Sequence, residues 1–334
     1  MSDFAIEFQD ATKVYRRRGR RVVALDAASF RVEGPGVHAL LGPNGAGKTT
    51  VLRALLGLIR LSSGWCSLLG ERCGGSAHRV MARTGSLVEV PRFPASMSAR
   101  RVLEIQRRLL GVGRSRVSDV LELVGLDERA DDRVGGFSLG MRQRLGLAVA
   151  LLGEPAVLVL DEPANGLDPP GIRELRALLR RVADTGVLVF VSSHLLGEVE
   201  QISDTVTVVS RGRCVYSGPL TSLQSTGFTL VRTTASPEVA AQVLRRAGWR
   251  VTVVGEELHV AESGRPPGSI SRTLAEEAIH LVELRPVERS LDDAFAELVG
   301  VGTQDSDSAE TFADGQSPFG GQISPVDGKA GVIR

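Results

Sequence analysis

Gly42-Pro43-Asn44-Gly45-Ala46-Gly47-Lys48-Thr49-Thr50 sets a glycine, four residues and then Gly-Lys-Thr in a row, the spacing of a loop that cradles phosphate. Glycines at 42, 45 and 47 allow the backbone N–H groups around Asn44 to turn toward one anion. A helix starting at Thr50 adds the positive end of its dipole. Lys48 is then the group that reaches the β- and γ-phosphates, and Thr49 the hydroxyl that ligates Mg²⁺. A glycine-rich turn without a ligand is the competing reading. It leaves the Lys-Thr pair between a strand and a helix unexplained.

Two further stretches have chemistry to offer. Asp161-Glu162-Pro163 follows the apolar run Ala156–Leu160, as carboxylates do at the C-terminal end of a buried parallel strand. Asp161 suits Mg²⁺, directly or through water, and Glu162 suits a general base that polarises the attacking water. Ser192-Ser193-His194 closes the next apolar run, Val187–Val191. His194 falls where a γ-phosphate contact is wanted, whereas His38, His78, His259 and His280 read as structural or surface residues. Tyr15 is a candidate for stacking on adenine, with ordinary packing as the equal alternative.

The elements that must position these groups are legible in outline. Ala5–Phe8, Val22–Leu25 and Ala28–Val32 read as antiparallel strands around the basic run Arg16–Arg21, a solvated hairpin tip rather than a nucleic-acid or lipid patch. Val37–Leu41 reads as the buried strand before the loop and Thr50–Ile59 as the helix after it. Residues 71–136 turn helical and Arg-rich. Helices over Ser98–Leu110 and Arg116–Val124 imply a helical insertion in the nucleotide-binding sheet. Gly171–Ala183 is the next helix.

With these parts in order, the first 219 residues resemble the ATP-binding subunit of an ABC transporter. Phe137-Ser138-Leu139-Gly140-Met141-Arg142-Gln143 looks like that family's signature motif, and Asn165-Gly166-Leu167-Asp168-Pro169 like its dimer-contacting loop. The resemblance implies an α/β P-loop ATPase: a mixed sheet core, an antiparallel β subdomain and an inserted helical subdomain over about 90–150. It implies ATP and Mg²⁺ as ligands. It also implies that Ser138, Gly140 and Asp168 face the phosphate loop of a second copy, or of a homologous ATPase subunit. Glu162 would be the base and His194 the switch histidine.

The signature departs from the usual Leu-Ser-Gly-Gly-Gln, with Phe137 for the Leu, Leu139 for the first Gly and Met141 for the Gln. The flexible loop that normally carries a Gln places Glu89 within Gly85–Pro91. Glu89 is then the candidate Mg²⁺ and nucleotide sensor. Both departures are similar to the exporter branch that includes bacitracin, lantibiotic and other drug or peptide efflux. In that branch Phe93 and the helix from Ser98 would line a groove for the membrane partner, with core packing the alternative for Phe93. An importer subunit, or an ATPase acting on ribosomes or DNA, is the alternative function.

Residues 220–300 have another rhythm. Phe228–Thr233, a helix led by Ser236, Trp249–Val254, Glu257–Val260, Ile270–Ala278 and His280–Leu284 read β-α-β-β-α-β, the order of a small ferredoxin-like α+β domain. A helix led by Ser290 closes it. Residues 301–334, rich in Gly, Ser, Asp and Gln, read as a flexible tail.

Composition bounds the rest. The chain has 334 residues, 43% hydrophobic and 24% charged, with a net charge of +1, so no general attraction to nucleic acid or anionic membrane is expected. No apolar run reaches the roughly 18 residues of a membrane span, and no signal peptide is read at the start. A motor of this kind needs a polytopic permease on a separate chain, which places it on the cytoplasmic face of the membrane. Cys66, Cys73 and Cys214 form no C-x-x-C pair and read as reduced, mostly structural thiols.

Overall fold

The strands that frame the phosphate loop are largely apolar because both their faces are buried. In the computed structural model, which describes residues 4–300 except 18, 75–77, 90, 225–227, 262–264, 267 and 288–290, the side chains of three strands part by period two. The first is β3, Gly36–Leu41, preceded by the hairpin of β1 (Ile6–Arg17) and β2 (Arg20–Val32). Val37, Ala39 and Leu41 enter one core, and Leu40 the other. After β3 come α1 (Lys48–Leu55), β4 (Ser63–Leu68), β5 (Glu71–Arg72), α2 (His78–Met81) and β6 (Thr84–Leu87). Helices α3 (Ala99–Leu110), α4 (Ser115–Leu123) and α5 (Leu139–Leu151) follow, then β7 (Val157–Asp161), α6 (Pro169–Asp184), β8 (Leu188–Ser193), α7 (Leu196–Ile202), β9 (Thr205–Ser210) and β10 (Arg213–Pro219). Like β3, β7 and β8 divide their residues between the two cores.

The central sheet has six strands in the order β10-β9-β3-β8-β7-β6, parallel except for β10 at its edge. An antiparallel sheet, β2-β1-β4-β5, lies across α1, whose Val51, Leu52 and Leu55 share a core with Ile6, Phe8, Leu25 and Phe30. On the other face α3–α7 pack over β3, β7 and β8. Ser98 caps α3 by accepting from the Arg101 N–H at 3.2 Å, and Gly111 ends it in a left-handed conformation. Phe93 packs against this core as a half-buried side chain.

Several expectations are corrected here. The stretch read as helical from residue 71 begins instead with β5, the single turn of α2 and β6, and a helix of several turns starts only at Ala99. β6 falls inside the segment read as a flexible loop and forms the edge of the central sheet; its sequence, Thr-Gly-Ser-Leu, is too short and polar to announce itself. The strand β4 was likewise unread. Helix α1 stops at Leu55, because Gly57 turns the chain at φ 68°. The β1–β2 hairpin is longer than read and carries register shifts.

After α8 (Leu220–Gln224), β11 (Phe228–Thr233), α9 (Pro237–Arg246), β12 (Val251–Val254), β13 (Glu257–Ala261), α10 (Gly268–Glu276) and β14 (Leu281–Val287) build an antiparallel sheet in the order β12-β13-β11-β14. That is the strand order of a ferredoxin-like unit. Val231, Ala240, Leu244, Trp249, Leu258 and Leu274 give it a core of its own. Helix α11 (Leu291–Gly300) leaves this unit and returns Leu291 and Ala294 to the core shared by β3, β7 and β8. Ser290 and the tail 301–334 lie outside the described residues.

Candidate functional site

The turn between β3 and α1 is set by backbone geometry. Gly47, at the N-cap of α1, has φ 112°, and a Cβ there would stand 2.5 Å from the Ala24 carbonyl oxygen. A Cβ on Gly42 would stand 2.3 Å from that of Val209. Only glycine lets the loop pass this close to β2 and β9. The recess it encloses, about 270 Å³, is lined by Ala24, residues 44–50, Glu162 and Asn165.

Lys48 is 5% exposed and folds back under the loop. Its Nζ donates to the Gly42 carbonyl at 2.8 Å and lies 3.2 Å from Glu162 Oε1. Thr49 Oγ1 donates to Asp161 Oδ2 at 2.9 Å. On the other side, Ser192 Oγ donates to Asp161 Oδ1 at 2.6 Å and accepts from the Glu162 N–H at 2.9 Å. Glu162 itself sits at φ 46°, a left-handed conformation that costs a non-glycine residue about 1 kcal/mol or more. His194 Nδ1 lies 2.7 Å from Glu162 Oε2. A carboxylate only accepts, so Nδ1 carries the proton and donates it.

The strand ends explain this convergence. β7 and β8 are parallel neighbours, with Asp161 opposite Ser192, and β3 delivers the loop beside β8. All three end on one side of the sheet, the crevice where α/β sheets bind ligands. Below it, Gln143 of α5 is 5% exposed and donates from Nε2 to the Pro163 carbonyl at 3.0 Å, tying the signature helix to the acidic turn. Behind His194, burial pushes the Glu198 carboxyl above its usual range, against the opposing pull of Arg176.

The structure thus brings together Lys48, Thr49, Asp161, Glu162 and His194. Gly42 shapes the same loop, and Asn44, Gly45, Gly47 and Thr50 line the recess. Glu89 does not join them. Its exposed carboxylate faces Arg53 of α1 at 3.4 Å, and Arg53 is about one helical turn beyond Thr49. Tyr15 is half-buried outside the recess. It pairs with Val22, two residues before Ala24, and its ring lies 5.0 Å from Lys13 Nζ.

Ser138, Gly140 and Asp168 line a separate recess with Leu139, Arg144, Gly166 and Leu167. Ser138 caps α5 by accepting from the Met141 N–H at 3.2 Å, and Asp168 caps α6 by accepting from Gly171 at 3.1 Å. Ser192 and Gln143 were not singled out in the sequence. The available signal was a polar residue ending a wholly apolar strand in one case, and a lone amide on an apolar helix in the other.

The donor set fits the implied ligands. A buried ammonium has one carboxylate partner it can exchange for phosphate, and a hydroxyl beside a carboxylate oxygen is hard-oxygen chemistry suited to Mg²⁺. Among the described residues no helix is long and apolar enough to cross a membrane.

Comparison with known proteins agrees with this fold. The ABC transporter family profile matches residues 25–165. A solved structure described as the ATP-binding subunit of an ABC transporter superposes with a TM-score of 0.58 at 25% identity, covering 66% of this chain and 92% of the other. A dimeric ATP-binding cassette in a post-hydrolysis state bound to ADP and Pi shares the fold, with a TM-score of 0.58 at 19% identity over 64% of this chain and 98% of its own. The lantibiotic transport ATP-binding protein SrtF of Streptococcus pyogenes is 36% identical, covering 63% of this chain and 89% of its own. The bacitracin transport ATP-binding protein BcrA of Bacillus licheniformis is 35% identical and covers 89% of this chain. Matched over 98% of that relative's length, this chain belongs to the family of ABC transporter ATP-binding proteins.

Proposed function

We propose that this chain is the ATP-hydrolysing motor subunit of a bacterial exporter, driving a separate polytopic permease from the cytoplasmic face of the membrane. The observation that carries the reading is Glu162, held between Lys48 and His194 beside the Thr49–Asp161 pair. The likeness to the bacitracin relative extends through the C-terminal unit, whereas the lantibiotic relative covers less of the chain. That extent favours drug, antibiotic or peptide efflux over import or a ribosome- or DNA-acting role.

In the proposed mechanism the N–H groups of the loop and of the first turn of α1 bind the phosphates. Lys48 exchanges Glu162 for the β- and γ-phosphates, and Tyr15 meets the adenine ring. Thr49 and Asp161, already joined by a hydrogen bond, would hold Mg²⁺. When bound, the ion would supply positive charge against that developing on the transferring phosphoryl group. Glu162 accepts the proton of the attacking water, and His194 fixes the direction of its carboxylate.

Ser138, Gly140 and Asp168 act in trans, closing over the phosphate loop of a second copy or of a homologous ATPase subunit. Their position in a recess of their own supports this assignment. Residues 1–219 are then the motor, and 220–300 an accessory α+β domain followed by the tail 301–334. Nucleic acid is not an expected partner.

Co-purification from detergent-solubilised membranes tests the reading. A polytopic membrane protein retained with the chain is expected. Recovery with ribosomes or DNA instead would overturn it.

A further inference from the structure

Cys66 and Cys73, seven residues apart in sequence, are cross-strand neighbours in the β4–β5 hairpin. Ser67 pairs with Arg72 and Leu68 with Glu71, and Leu69 and Gly70 make the tight turn at φ 50° and 79°. The next pair outward is Cys66 and Cys73, joined by a Cys73 N–H to Cys66 carbonyl hydrogen bond of 2.9 Å. Directly opposed residues of a hydrogen-bonded antiparallel pair have Cα atoms about 5.5 Å apart, within the range of about 4.4–6.8 Å that a disulfide spans.

The two thiols have unlike surroundings. Cys66 is 3% exposed, and its Sγ donates to the Ala54 carbonyl of α1 at 3.7 Å. Cys73 is half-buried at the edge of the same core. The neighbouring Cys66 side chain holds the Cys73 thiol below its ordinary range, while Cys73 and burial push Cys66 up. A reachable sulfur inclined to thiolate therefore faces a buried thiol that can resolve it. Cys214 lacks this arrangement, and burial pushes its thiol up to about 11.

We propose that Cys66 and Cys73 are a redox modification site, oxidised by a hydroperoxide to an intramolecular disulfide. The Cys73 thiolate attacks the O–O bond, forming an S–O bond and expelling water or an alcohol once that oxygen takes a proton. Cys66 then loses its proton and displaces hydroxide from the sulfenic sulfur. The S–S bond closes and a water leaves, with two electrons passed from the thiols to the peroxide. The loop so closed is short and constrains the unfolded chain less than a long one would. The bond therefore serves as a reversible mark rather than a structural staple.

The test uses the full chain, reduced, freed of reductant and exposed to hydrogen peroxide. Thiols titrated after denaturation are expected to fall from three to one. Peptide mass spectrometry should find two hydrogens lost between the peptides carrying Cys66 and Cys73, and dithiothreitol should restore all three thiols. In Cys66→Ser, dimedone should trap Cys73 as a sulfenic acid; in Cys73→Ser, Cys66 should stay reduced. Retention of all three thiols in the native sequence would overturn the proposal. So would Cys73 passing to sulfinic acid while Cys66 remains free, or an unreacted Cys73 in Cys66→Ser.

Discussion

Lys48 Nζ stands 3.2 Å from Glu162 Oε1, so the cation assigned to phosphate is neutralised here by the carboxylate assigned to water. On the roles proposed above, entry of a triphosphate parts them and frees each for its own task. Replacing Glu162 with Gln keeps the shape but removes both the base and the competitor for Lys48. Turnover is expected to fall roughly 10²-fold or more, with nucleotide affinity held or improved. Phosphate release beside equilibrium ATP binding checks this, and ordinary hydrolysis by the variant would remove Glu162 from the role of base.

Lys48→Ala takes away the phosphate partner itself. A hydrogen bond to a charged group contributes about 1.5–3 kcal/mol, so ATP should bind roughly ten- to a hundredfold more weakly. Lys48→Arg should not restore it. The ammonium sits 5% exposed beneath the Gly42 carbonyl, and a planar guanidinium has no room there. Unchanged affinity in the alanine variant would show that the loop is not the cradle.

Much of this site was legible because its chemistry is concentrated in short runs. Gly42–Thr50 and Asp161-Glu162 each lie at the end of a strand whose apolar run cannot be mistaken. What escaped was set by distant chain. Ser192 matters only because β8 runs parallel to β7 and sets it opposite Asp161. Strand β6 was missed because its four residues acquire their conformation from β7 rather than from any pattern of their own. Glu89 was placed at the metal by analogy, whereas the contact it makes here is with Arg53.

His38 offers a pH dependence unrelated to catalysis. Its ring is 2% exposed on β3, with Nδ1 2.7 Å from Thr205 Oγ1 and Nε2 2.9 Å from Thr207 Oγ1. Burial pushes its pKa down to about 3 from an ordinary 6.5. The native ring stays neutral while the unfolded one takes a proton below its ordinary pKa. Its contribution is therefore complete above 6.5 and is lost as the pH falls toward 3. At about pH 5 the loss should be about 2 kcal/mol relative to neutral pH. Urea midpoints at the two pH values, in the native sequence and in His38→Gln, should differ by that dependence. An equal pH dependence in both would refute the assignment.

The altered signature is testable through its packing. A Cβ on Gly166 would stand 2.8 Å from Leu139 Cδ2, so the leucine that replaces the usual glycine covers the loop leading to Asp168. Gly166 also holds φ 77°, where a side chain costs about 1–2 kcal/mol. Gly166→Ala should therefore be destabilising through both backbone strain and collision with Leu139. Leu139→Ala in the same chain should remove the collision but leave the strain. A double-mutant cycle of unfolding free energies should give a favourable coupling of about 0.5 kcal/mol or more. Strict additivity would mean that Leu139 does not rest on Gly166. The signature and the loop to Asp168 would then move independently, and the substitution at 139 would leave the recess around Ser138 as it was.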